Sequence, residues 1–237
     1  MTPPIIIHRS LADGADGVSG STVVVDTFRA FSTAAYLIDR GVDHIVLAET
    51  LDEARTRAQR IADAILCGED GGRRPADFEL GNSPVEVGAF PDLAGRTVVV
   101  RTTAGTRTVL RALQSGADPV FAASLVVAGA TASAVRRSPR VTIIASGLGG
   151  ASIADEDEET ADLIADRILG RGDDPHRINR VRSGEGATRL RSTPWIDPED
   201  LERCLEIDRF SFALRAGLED GIGTLRAVRG PESGLDV

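Results

Sequence analysis

Apolar runs rich in valine and isoleucine recur along this chain without the polar alternation of a half-exposed strand, and residues with amphipathic helical spacing follow them. Strands so uniformly apolar are covered on both faces, which is the situation of a parallel sheet packed between helices. The runs are IIIH from Ile5, STVVVD to Asp26, HIVLAE to Glu49, TVVVR to Arg101, PVFAA to Ala123 and VTIIAS to Ser146. Their alternation with helical segments predicts an α/β fold: a largely parallel sheet, or sheets, flanked by helices. With 237 residues, 42% of them hydrophobic, the chain suits a single α/β unit over 1–237 or two tightly joined lobes, 1–116 and 117–237.

The most regular helical pattern runs from Leu51 to Leu66, with Leu51, Ala54, Ala58, Ile61 and Ile65 in one apolar stripe. Thr50 and Glu53 form a capping box at its start, and Gly68 reads as its stop. Helices are expected after Arg29, Ala104 and Leu125, and from Glu156 to Leu169 with Ala161, Ile164 and Ile168 facing inward. Closely spaced apolar segments after Pro198 predict a helical C-terminus, and disorder is expected only at MTPP and at the PESGLDV tail.

Charge and composition narrow the function. The net charge is −9, so nucleic acid and anionic membrane surfaces lack their usual electrostatic attraction, and small molecules are the expected partners. All 27 basic residues are arginine, which rules out a Walker-type phosphate loop and lysine Schiff-base chemistry. Two cysteines, Cys67 and Cys204, are too few for a disulfide framework and have no zinc-site spacing. Without an apolar run of membrane-spanning length or a signal-peptide pattern, the expected location is the cytoplasm; a homo-oligomer is compatible with this reading.

In parallel α/β sheets, ligands bind beyond the carboxyl ends of the strands, and the unusual residues collect there. VVVDTFRAFST delivers Asp26 to a strand end with Arg29 and Ser32 just after it; the carboxylate suits Mg²⁺ and the guanidinium suits phosphate. The plainer alternative is an Asp26–Arg29 ion pair at a helix start. Haloacid-dehalogenase chemistry is excluded because Phe28 stands where a second aspartate is required. CGEDGGRRPADFELGNSP is an irregular loop in which Glu69 suits a metal, Arg73 or Arg74 an anion, and the amides near Asn82 and Ser83 a phosphate. Its formal match to the cysteine phosphatase pattern, Cys67 to Arg73, fails because Cys67 lies at an expected helix end beside Glu69 and Asp70, where a thiolate is disfavoured. TVVVRTTAGTRTV places Thr102, Thr103, Gly105 and Thr106 between a strand and a helix as an anion cradle, with Arg107 in the first turn; a threonine-capped helix is the bland reading. Acidic residues from Asp155 to Glu159 open a further helix, and Gly147 to Gly150 make an incomplete dinucleotide fingerprint. Among the histidines, His8 at the end of the first strand is the one candidate general acid.

Taken in order, these motifs resemble the 2-phosphosulfolactate phosphatase family. Its members carry an aspartate and arginine at a strand end, then GERGG, a phenylalanine-acid-LGNSP segment and TTTNGTRA; this chain has VVVDTFRAFST, GEDGG, DFELGNSP and TTAGTRT over 23–109. The resemblance implies Mg²⁺-dependent hydrolysis of phosphosulfolactate to sulfolactate, a step towards coenzyme M. It implies catalytic roles for Asp26, Arg29 and Arg107, and phosphate binding by Asn82, Ser83, Thr102, Thr103, Gly105, Thr106 and Arg74. The expected metal ligands are Asp26, Glu69, Glu158 and Glu159, the last two standing where the family has glutamate-aspartate. Ala104 in place of asparagine and Asp70 in place of arginine fall in loops where substrate choice would be made. The alternative from another class is a non-catalytic anion-binding protein on the same fold.

Overall fold

The computed structural model describes residues 3–229; Met1, Thr2, Gly230 and the PESGLDV tail lie outside the described residues, so the disorder expected at the tail falls there. Among the described residues ten strands form one mixed sheet. In chain order they are β1 (Ile5–Ser10), β2 (Ser21–Val25), β3 (His44–Leu47), β4 (Ile65–Gly68), β5 (Leu80–Gly81), β6 (Thr97–Arg101), β7 (Val120–Ala123), β8 (Arg140–Ala145), β9 (Phe212–Glu219) and β10 (Ile222–Arg229). The helices are α1 (Ala30–Asp39), α2 (Leu51–Ala58), α3 (Pro84–Ala89), α4 (Gly105–Gln114), α5 (Ala128–Val135), α6 (Asp155–Ile168), α7 (Arg177–Ser183), α8 (Glu185–Ser192) and α9 (Pro198–Cys204).

The spatial order is β1-β8-β2-β7-β9-β10-β3-β6-β4-β5. The first four strands are mutually parallel, as are the last four. Between them the β9–β10 hairpin pairs antiparallel to β7 on one side and to β3 on the other. Three antiparallel ladders in succession reverse the sense of the second half relative to the first. Residues that follow the carboxyl ends of strands in both halves nonetheless line one cavity, Asp26 and Gly147 from the first half and Glu69 and Thr102 from the second.

Both faces are covered, as the uninterrupted apolar runs require. Val24, Ile45, Leu47, Val98, Val100 and Ala122 pack under α1 and α4 in one cluster. Val23 and Val25 point to the opposite face with Val141, Ile143 and Ala145, beneath α5 and α6. Strands β3 and β6 of the second half pack their Val46 and Val99 against Ala54 of α2.

Three details differ from the sequence reading. The helix expected over Leu51 to Leu66 stops at Ala58, and Ile65–Gly68 is strand β4. Its apolar residues continue at a spacing either element tolerates, while Asp63, between the helix end and β4, takes a left-handed conformation (φ 53°) that a helix continuing to Leu66 excludes. Gly68 is therefore a strand residue at φ 144°, held so close to Arg101 of β6 that no side chain fits. Finally, the helical structure expected after Pro198 is α9 alone, preceded by α7 and α8, and the β9–β10 hairpin, which the sequence reading did not anticipate, follows it.

Candidate active site

Asp26 follows directly on β2, where two helices start. Its Oδ1 accepts from the Ala30 amide at 3.2 Å, in the first turn of α1, and its Oδ2 accepts from the Gly105 amide at 2.9 Å, in the first turn of α4. Both helix N-termini thus direct positive partial charge at one carboxylate. Gly105 is required by this approach: a Cβ there would lie 2.8 Å from Asp26 Oδ2 and 3.0 Å from Phe31 Cζ. Burial raises the Asp26 pKa from 3.8 to about 6; the two amides oppose that rise, Glu69 adds to it, and Arg29 opposes it.

The glycine-rich loop is organised by Glu69. One carboxylate oxygen accepts from the amide and hydroxyl of Thr103 at 2.6 and 2.8 Å, and the other accepts from the Gly72 amide at 2.7 Å. Gly72 in turn offers its carbonyl to Trp195 Nε1 at 3.1 Å, and the Arg73 guanidinium lies 3.8 Å from the centre of that indole ring. The TTAGT turn is braced within itself, Thr102 Oγ1 accepting from the Thr106 amide at 3.2 Å.

On the opposite wall, Asp157 in the first turn of α6 ties two strand ends together. It accepts from the Thr27 amide after β2 at 2.7 Å and from the Gly147 amide after β8 at 3.0 Å. Burial and the neighbouring Asp26 charge hold its pKa well above the ordinary carboxylate range. Beside it, Glu156 is pushed up to about 9 by burial, by its hydrogen bond with Asp155 and by the Asp157 charge. Its Oε2 is buried with no hydrogen-bond partner. Arg29 is held from outside the sheet: its guanidinium bonds Asp200 of α9 at 2.6 Å, and Asp200 also accepts from Ser83 Oγ at 2.7 Å and the Val85 amide at 3.0 Å.

These groups line one cavity of about 340 Å³. Four carboxylates face it, those of Asp26, Glu69, Glu156 and Asp157, against two guanidiniums, Arg29 and Arg189. The raised carboxyl pKa values express the same imbalance: negative groups are crowded out of water without enough positive charge. A divalent cation would relieve that strain, and Glu156 Oε2, without a hydrogen-bond partner among the described residues, is an oxygen that would suit one. Among the described residues no three acid, histidine or cysteine side chains converge as a closed metal cage. Mg²⁺ does not require one, because it keeps several waters and is commonly held by one or two carboxylates together with substrate phosphate. Asp26, Glu69, Glu156 and Asp157 are the residues that fit it.

Of the residues singled out from the sequence, Asp26, Arg29, Glu69, Asn82, Thr102 and Thr103 line the cavity, with Ala104, and Gly105 and Thr106 shape its threonine turn. Others are placed elsewhere. Ser83 caps α3, accepting from the Glu86 amide at 3.1 Å. Arg74 bonds Glu86 at 3.0 Å on the surface, and Arg107 is a half-exposed partner of Glu49 at 3.9 Å. Glu158 faces β1, where it accepts from Ser10 Oγ at 2.6 Å and meets His8 at 2.7 Å, so His8 also sits away from the cavity. Glu159 is turned to α7 and bonded by Arg177 and Arg180. The acids of α6 that reach the cavity are the preceding pair, Glu156 and Asp157. Cys67 lies buried in β4 rather than at a helix end; burial raises its thiol pKa, so it remains an inert core thiol.

The sequence relatives agree with this architecture. A family model described as 2-phosphosulpholactate phosphatase matches residues 9–215. A probable 2-phosphosulfolactate phosphatase of Thermus thermophilus is 34% identical over 200 residues, covering 83% of this chain and 79% of the relative. One from Deinococcus radiodurans is 37% identical over 153 residues, which is 64% of this chain and 62% of the relative. A third, from Pseudothermotoga lettingae, is 33% identical over 158 residues, 67% of this chain and 66% of its own length. The motifs at the strand ends, the cavity they build and the extent of these matches lead to one assignment: the chain belongs to the 2-phosphosulpholactate phosphatase family, a family named for phosphoric monoester hydrolysis.

Proposed function

We propose that this chain is a Mg²⁺-dependent phosphatase of the cytoplasm that hydrolyses a small anionic phosphate ester, 2-phospho-3-sulfolactate by the names of its relatives, to the hydroxy acid and phosphate. On that substrate its product would feed coenzyme M synthesis. The observation that carries the reading is Asp26, fixed between two helix N-termini on the floor of a cavity where four carboxyl groups outnumber two guanidiniums. A doubly charged ester would bring a counter-cation into such a cavity. When bound by Asp26 with one of Glu69, Glu156 and Asp157, Mg²⁺ would supply that charge and polarise the phosphoryl group.

The chain's own residues then do three things. Arg29, clamped by Asp200, has N–H donors left for phosphoryl oxygens and needs no reorganisation to present them. The Thr102–Thr103–Ala104 turn offers a hydroxyl-rich surface ahead of the α4 N-terminus, where developing negative charge is favoured. Phe28, Leu148, Leu190 and Ile196 furnish apolar wall that limits water to the attacking molecule.

The test is phosphate release across a panel of phosphorylated hydroxy acids, including phosphosulfolactate, with Mg²⁺ and with EDTA. Release that EDTA stops and that Asp26→Asn abolishes, in a variant that remains folded, is the expected result. Silence across the panel with tight ligand binding retained would overturn the reading in favour of a non-catalytic anion-binding protein.

A further inference from the structure

The two guanidiniums of the cavity are held very differently. Arg29 is 7% exposed and bonds Asp200 at 2.6 Å inside the protein. Arg189, on α8, is 39% exposed, and among the described residues its side chain makes a single polar contact, to Glu156 Oε1 at 3.4 Å. A guanidinium carries five N–H donors, so most of those on Arg189 are uncommitted. It stands on the rim formed by α8 and the segment after it, with Leu190, Thr193, Trp195 and Ile196 beside it. Asp26, Arg29 and the threonine turn come instead from the strand ends and helix starts of the sheet. The cavity therefore has a charged floor and, on its α8 side, a guanidinium that a single long contact to Glu156 leaves largely uncommitted, set beside apolar surface.

We propose that Arg189 is the specificity-determining residue for a second acid group, carboxylate or sulfonate, on the tail of the substrate. This rests on the phosphatase reading for the floor of the cavity and adds what the rim selects. A planar fork of donors matches a tail oxyanion, and the neighbouring apolar side chains match a carbon skeleton of two or three atoms between that oxyanion and the phosphate. A neutral ester would leave this guanidinium with Glu156 as its one contact and gain less from the rim.

The experiment compares 2-phospholactate with isopropyl phosphate, which replaces its carboxylate with a methyl group, in wild-type protein and in Arg189→Gln and Arg189→Lys. The expected result is a fall of about tenfold or more in the kcat/KM preference for the two-acid ester in Arg189→Gln, expressed mainly in KM and partly restored by lysine. An equal loss on both esters would place Arg189 on the phosphate instead and overturn the proposal, as would an unchanged preference. Calorimetric titration with sulfolactate and with inorganic phosphate separates this idea from the catalytic one. Weaker sulfolactate binding in Arg189→Gln, with the phosphate affinity less affected, supports the tail role even if no ester is hydrolysed; equal weakening refutes it.

Discussion

Asp26→Asn is expected to abolish phosphate release and, in the absence of divalent cations, to make the protein more stable at neutral pH. Burial raises the Asp26 pKa from 3.8 to about 6. Below about pH 4 the carboxyl is protonated in folded and unfolded chains alike, and its ionisation contributes nothing to stability. Between about pH 4 and pH 6 the unfolded chain loses the proton while the folded one keeps it, so wild-type stability falls as pH rises. Above about pH 6 the loss is complete, at roughly two pH units or about 3 kcal/mol. Asparagine removes the buried charge but returns one hydrogen bond: its oxygen can serve only one of the Ala30 and Gly105 amides, and its NH₂ faces the other. That mismatch costs about 1 kcal/mol.

The balance is a gain of about 2 kcal/mol at pH 8, or roughly 4–8 °C in Tm for a chain of this size, shrinking to nothing near pH 4.5 and reversing below it. Urea unfolding in EDTA, followed across that pH range, measures it. On the proposed reading, in which Mg²⁺ binds the folded state through this carboxylate, added Mg²⁺ should raise the stability of wild-type protein and do so much less in the variant. A stability difference that is flat with pH, or an Asp26→Asn protein less stable than wild type at pH 8, would refute the claim that Asp26 is held charged against the preference of its surroundings.

Other substitutions probe the groups around it. Asp200→Ala strips the buried Arg29 guanidinium, Ser83 Oγ and the Val85 amide of their shared acceptor, and is expected to cost about 3–5 kcal/mol in urea unfolding; a loss below 1 kcal/mol would mean that Arg29 finds another partner. Gly105→Ala forces a Cβ to 2.8 Å from Asp26 Oδ2, and should lower kcat at least about tenfold while leaving the fold intact; wild-type turnover would show that the turn relaxes freely. Burial holds the thiol of Cys67 above its ordinary pKa and that of Cys204 up to about 12. Neither should react with a thiol reagent in native protein, and both should react in urea; rapid labelling of the native state would contradict their burial.

The sheet was legible where strands are long, central and uniformly apolar: β1, β2, β3, β6, β7 and β8 all fall on runs read from the sequence. The missed strands have physical reasons. β5 is two residues long, and β4 continues an apolar stripe whose period fits a helix as well as a strand. β9 and β10 carry Arg215, Gly217, Glu219, Gly223 and Arg226, so they lack the apolar density of the buried runs. Their position between two parallel halves is set by tertiary pairing, which a local pattern does not encode. The motif at each strand end was legible, because a strand covered on both faces leaves only its end for chemistry. Which partner each side chain meets was not: Asp200 and Arg189 lie far along the chain and reach the site only through the packing of α8 and α9.

The acidic start of α6 shows how far a sequence pattern can be pushed when its phase is used. Ala161, Ile164 and Ile168 were read as the inward stripe, and they are buried. At about 100° per residue, stepping back one turn from Ala161 reaches Asp157, within roughly 40° of that stripe. Glu158 falls about 100° further round and Glu159 about 200°, and they face β1 and α7 respectively. The inward stripe therefore already selected Asp157 over the two glutamates, and a family match shifted by two residues obscured it. Glu156 is a different matter, since helical phase alone places it about 100° to the other side. It becomes a cavity residue because α8 closes over that side and brings Gly186, whose missing side chain leaves the space its carboxylate occupies. A bulkier residue at 186 would displace Glu156 without touching the rest of the cavity. Gly186→Val is thus expected to perturb metal binding before it perturbs the fold, and Mg²⁺ titration beside urea unfolding of that variant would show which gives way first.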